Sequence, residues 1–107
     1  MDRQRRMNEF SLAAHRLIVA RLRERPERLV EALAVIERWR DQAGGATHTD
    51  PYWTEWEQLL REGSDAVERA VCAPTDHART LRGVSPLGRF ITPAERSQLL
   101  KQSRQPA

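Results

Sequence analysis

A chain of 107 residues with 31% charged, 39% hydrophobic and 6% aromatic residues is sized and composed for one small helical domain. It holds no apolar run of membrane-spanning length, and Arg16 and Arg21 interrupt the apolar centre that a signal peptide needs in residues 1–25. The single cysteine, Cys72, excludes an internal disulfide and points to the cytoplasm. The net charge of +3 is unevenly spread: residues 1–28 carry +4, residues 29–73 carry −5 and residues 74–107 carry +4. Basic ends suit a polyanion and an acidic middle suits a basic partner, although 17 arginines to one lysine, with abundant alanine, is also what a GC-rich genome yields.

The first helix is expected from about Asn8 or Ser11 to Arg25, with Phe10, Ala14, Leu17, Ile18 and Leu22 on one face at three- and four-residue spacing. Pro26 breaks it and starts a second, over 26–42, whose stripe is Leu29, Leu33, Ile36 and Trp39. Gly44-Gly45 ends that helix. Asp50 as cap and Pro51 in the first turn open a third, which Gly63 stops after Trp53, Trp56, Leu59 and Leu60.

Ser64 caps a fourth helix carrying Val67, Ala70 and Val71, and Pro74 terminates it. Thr75 caps a short fifth helix that runs through Arg82, where Gly83 in the left-handed conformation is the expected stop. Residues 85–91 are too apolar for a free loop and should pack on the body. Thr92 and Glu95 then form a capping box around Pro93, opening a sixth helix with Leu99 and Leu100 inward. No internal repeat or period-two run is present. The expected architecture is all-α: one domain over 1–107, a bundle of five to six helices. A long N-terminal helical hairpin is closed by shorter helices, and residues 1–7 and 102–107 are frayed.

No residue pattern nominates a reaction. His15, His48 and His77 lack second ligands at metal spacing, so no metal site and no cofactor is expected, and His48 with Asp50 is a pair where zinc wants three or four ligands. Cys72 and His77, five residues apart, are the one pair from which a thiolate–imidazole enzyme could be built; a lone cysteine on a helix otherwise reads as a small buried residue.

Two clusters carry binding readings. Tyr52, Trp53 and Trp56, with Trp39 nearby, are either the core between two helices or an exposed anchor rimmed by Glu55, Glu57 and Glu62. Arg21, Arg25 and Arg28 recur at four and three and could line a phosphate-facing stripe, or form a solvated face paired with Glu24, Glu27 and Glu31. Residues 64–82 have helix-turn-helix spacing, with Arg79 and Arg82 on the second member, though Pro74 replaces the usual turn glycine.

Leu12-Ala13-Ala14-His15-Arg16, Trp39, Trp53-Thr54-Glu55-Trp56 and the closing Leu81-Arg82-Gly83-Val84-Ser85-Pro86-Leu87-Gly88-Arg89-Phe90-Ile91-Thr92-Pro93-Ala94-Glu95-Arg96 occur in that order. In this the chain resembles a group of small bacterial all-helical, antitoxin-like proteins encoded beside toxin genes. Leu87 stands where the group has an aromatic residue, and Ser97 where it has Trp. The resemblance implies a protein that neutralises a cognate toxin by direct contact, and it supplies no catalytic residue. Tyr52, Trp53, Glu55, Trp56 and Glu57 are the expected partner contacts, with Arg82, Arg89 and Phe90 as a second set. The alternative is a nucleic-acid-binding regulator using Arg21, Arg25, Arg28, Arg79 and Arg82. Nothing in the pattern separates a monomer from a homo-oligomer.

Overall fold

A computed structural model of the protein describes residues 3–45 and 47–104. The all-α fold is as expected, with six α-helices among the described residues: α1 (Arg3–Glu24), α2 (Glu27–Ala43), α3 (Asp50–Glu62), α4 (Ser64–Val71), α5 (Asp76–Gly83) and α6 (Pro93–Arg104). None of them is long and apolar enough to cross a membrane.

Several boundaries differ from the sequence expectation for local reasons. α1 begins at Arg3, because Arg, Gln and Met are good helix formers and Arg5 pairs with Glu9 one turn on. Of the ends expected to fray, residues 3–7 and 102–104 are therefore helical; residues 1, 2 and 105–107 lie outside the described residues. Thr49 rather than Asp50 occupies the cap of α3, and Gly63 rather than Ser64 that of α4. Gly63 has φ +117° and ψ 178°, a region open essentially to glycine, and this sharp joint lets α4 turn straight out of α3. Gly44, at φ +70°, ends α2 with its N–H on the Arg40 carbonyl. Gly83 does not take the expected left-handed stop: the positive-φ glycines among the described residues are Gly44 and Gly63, and α5 ends instead with the Val84 N–H donating to the Leu81 carbonyl.

The two long helices follow one another through Arg25-Pro26, but their packing is mainly with other elements. α1 lies against α6, α4 and α5, while α2 packs on α3, and α3 on α4. The core gathers Ile18, Val19 and Leu22 of α1, Ala32 and Ile36 of α2, Trp56 and Leu60 of α3, Val67 and Val71 of α4, and Leu81 of α5. Leu87 and Phe90 complete it from the 84–92 connection, whose short 3₁₀ turn Gly88–Phe90 is pinned to the body as its apolar content requires. Each Val, Leu, Ile or Phe among them contributes roughly 1.5–3 kcal/mol of burial. At the entry to α6 the capping box is reciprocal: Thr92 N–H donates to Glu95 Oε1 at 2.8 Å and Glu95 N–H to Thr92 Oγ1 at 3.1 Å.

Candidate functional site

The aromatic cluster resolves into core and scaffold. Trp56 has no exposed surface, and its Nε1 donates to the Leu81 carbonyl at 2.9 Å, so it joins α3 to α5 and cannot touch a partner. Trp53 and Tyr52 are half-buried. Trp53 packs on Trp39 (6.0 Å between centroids) under the Arg40 guanidinium, and Tyr52 on His77 (6.1 Å). Of the expected acidic rim, Glu55 and Glu57 are spent internally and Glu62 is exposed. Arg40 binds Asp50 at 2.9 Å and Glu57 at 3.0 Å, and His77 Nε2 donates to Glu55 at 2.8 Å. Of the second expected contact set, Phe90 is buried beneath Arg28, Arg82 is buried, and Arg89 alone is exposed.

The arginines proposed for nucleic acid are likewise dispersed. Arg21 holds the Glu95 carboxylate and the Phe90 carbonyl, Arg28 lies over the Phe90 ring at 5.5 Å, and Arg79 pairs with Asp76 at 2.5 Å. Arg21, Arg25, Arg28 and Arg89 do line one cavity of about 690 Å³, but Glu24, Glu27 and Glu31 share it and cancel most of its field. With Arg82 turned inward, the α4–α5 pair loses half of its proposed reading set. Cys72 and His77 are not hydrogen-bonded to each other among the described residues, His77 being held by Glu55, and burial pushes the Cys72 thiol above its ordinary value, against thiolate chemistry.

A different group of residues comes together between α1, α5 and α6. A cleft of about 890 Å³ is lined by Arg5, Arg79, Arg82 and Arg96, with Gln4, Asn8, Ser11, Met7 and Phe10, and no carboxylate lines it among the described residues. A smaller cavity of about 150 Å³ shares Phe10, Ser11, Arg82 and Arg96 with the cleft and continues to His15 and Ser85.

Arg82 is the centre of this site. It is 6% exposed, and all its hydrogen-bond partners are neutral: Nε donates to Ser11 Oγ at 3.2 Å, Nη1 to the Val71 carbonyl at 2.6 Å, and Nη2 to Asn8 Oδ1. The C-terminal carbonyl of α4 offers only partial negative charge. Burial, and then the positive charges of Arg79 and Arg16, lower its pKa; Cys72 opposes them. A buried charge without a carboxylate partner is costly, and at the opening Arg96 adds to its positive field, whereas Arg5 and Arg79 are paired with Glu9 and Asp76.

His15 sits behind Arg82, 6% exposed. Its Nδ1–H donates to the Ser11 carbonyl at 2.8 Å, which leaves Nε2 to accept from the Ser85 hydroxyl at 2.8 Å. Burial pushes its pKa below 6.5, the nearby Arg82 charge adds to that, and the Ser11 carbonyl opposes it. The ring is therefore neutral at pH 7 and ties the 84–92 connection to α1.

Arg82 was among the residues singled out from sequence; Asn8, Ser11, Ser85 and Arg96 were not. One signal was present. Asn8, Ser11 and His15 recur at three and four residues beside the apolar stripe of Phe10, Ala14 and Ile18, which is a polar seam along a helix that should be dry. No protein-family model, curated protein or solved structure matches the chain.

Proposed function

We propose that the protein is a cytoplasmic partner-binding module of the antitoxin type, which engages a cognate protein through the arginine-lined cleft between α1, α5 and α6. The carrying observation is Arg82, a buried guanidinium without a carboxylate partner among the described residues, at an opening lined by three further arginines. Charge complementarity then selects an acidic segment of the partner. The half-exposed Met7 at the same opening adds apolar contact area, which suits a peptide segment better than a sugar-phosphate backbone. A duplex presents a convex surface and reaches protruding arginines, whereas Arg82 lies recessed. The antitoxin element of the reading rests on the sequence resemblance of residues 81–96.

The test is a tagged pull-down from the native host with nuclease treatment, repeated with Arg96→Glu and Arg79→Glu. One stoichiometric protein, lost in both charge reversals and inhibited by the wild-type protein in its own assay, is the expected result. Nucleic acid before nuclease, and nothing after it, replaces this reading with the regulator.

A further inference from the structure

A guanidinium has five N–H donors, and Arg82 spends three of them, one from each nitrogen, on Ser11, Val71 and Asn8. Two Nη hydrogens remain. The acceptors keep donors of their own: Asn8, held through Oδ1, retains its amide NH₂, and Ser11, held through Oγ, retains its hydroxyl hydrogen. Arg96 stands over the Phe10 ring at 5.0 Å and makes no side-chain hydrogen bond among the described residues. The floor is thus rich in donors and lacks a carboxylate to receive them.

We infer that Arg82, Arg96, Asn8 and Ser11 form a carboxylate-binding subsite, filled by an acidic side chain of the partner segment. This rests on the partner-binding reading and names the group that the cleft takes. The spare Nη hydrogens of Arg82 and the guanidinium of Arg96 are donors suited to the two oxygens of a carboxylate, with Asn8 and Ser11 beside them. Met7, half-exposed at the opening, offers apolar surface to the methylene stem of Glu or Asp. A bound carboxylate would also neutralise the buried charge on Arg82, so occupancy and local stability are linked.

The experiment is an NMR titration of the arginine Nε–H signals with glutarate, with inorganic phosphate and with chloride at matched ionic strength. The expected result is a saturable glutarate shift at Arg82 and Arg96, weakened on the order of tenfold by Arg96→Gln and unchanged by Lys101→Gln. Arg96 and Lys101 are exposed, so neither substitution disturbs the core. A linear shift identical to that of chloride overturns the subsite, and saturation by phosphate without saturation by glutarate overturns its carboxylate assignment. If the subsite fails while Arg96→Glu still abolishes capture of a protein partner, the partner-binding reading stands without it.

Discussion

The guanidinium of Arg21 on α1 grips both carboxylate oxygens of Glu95 on α6, 74 residues away, while Glu95 Oε1 also accepts the Thr92 N–H that opens α6. One side chain thereby caps its own helix and fastens that helix to α1. Because α6 forms one wall of the cleft through Arg96, this clamp sets where that arginine stands.

The clamp predicts how the protein responds to acid. The Arg21 hydrogen bond first, and then the Thr92 backbone N–H, hold the Glu95 carboxyl at about 2, against an ordinary 4.5. A carboxylate depressed in the folded state stabilises it above the unfolded value, and that contribution is lost as pH falls from about 4.5 towards about 2. Glu95→Gln should flatten this part of the stability profile, measured by urea melts from pH 6 to pH 2. It should also raise amide exchange in the first turn of α6. An unaltered acid limb in the variant would show that the clamp is absent in solution.

His15 acts in a neighbouring window. Its folded pKa is depressed, so the unfolded state binds the proton more readily, and stability falls as pH drops below 6.5. The ring should titrate below 6.5 by NMR, with Nδ1 protonated in the neutral form. His15→Gln cannot gain a charge, so it should remove the slope just under pH 6.5 whatever it costs at neutral pH. A His15 midpoint at or above 6.5 would contradict the buried neutral ring.

Trp56 separates core from surface. Trp56→Ala should cost about 3–5 kcal/mol, comparable with the total stability of roughly 5–15 kcal/mol expected for a small domain. Trp56→Phe removes one of the two hydrogen bonds on the Leu81 carbonyl, which the Val84 N–H still satisfies, and costs about 0.5–1.5 kcal/mol. Half-buried Trp53 should tolerate truncation better, and Trp56 should emit in the blue while the protein is folded. Equal urea midpoints for Trp53→Ala and Trp56→Ala would refute this division.

The residues that were legible in the sequence act within a turn or two of chain. Pro26, Gly44, Thr75 and the Thr92–Glu95 box punctuate helices through their own dihedrals and side-chain oxygens, and the apolar stripe of α1 follows from its 3.6-residue period. The all-α bundle is the sum of such local terms. Gly83 departs from its local signal because the 84–92 connection, packed through Leu87 and Phe90, directs the chain without a left-handed residue.

Only the tertiary structure decided which charges face which. Arg82 and Arg28 look alike in sequence, yet one is buried against Asn8 and Ser11, more than 70 positions earlier, and the other lies across Phe90. The acidic rim around Trp53 was legible as composition, but Arg40 and His77 had already claimed much of it. Periodicity carries burial along one helix because its geometry is fixed by the backbone. Pairing between helices depends on how their faces rotate and cross, and that is set by the packed core as a whole.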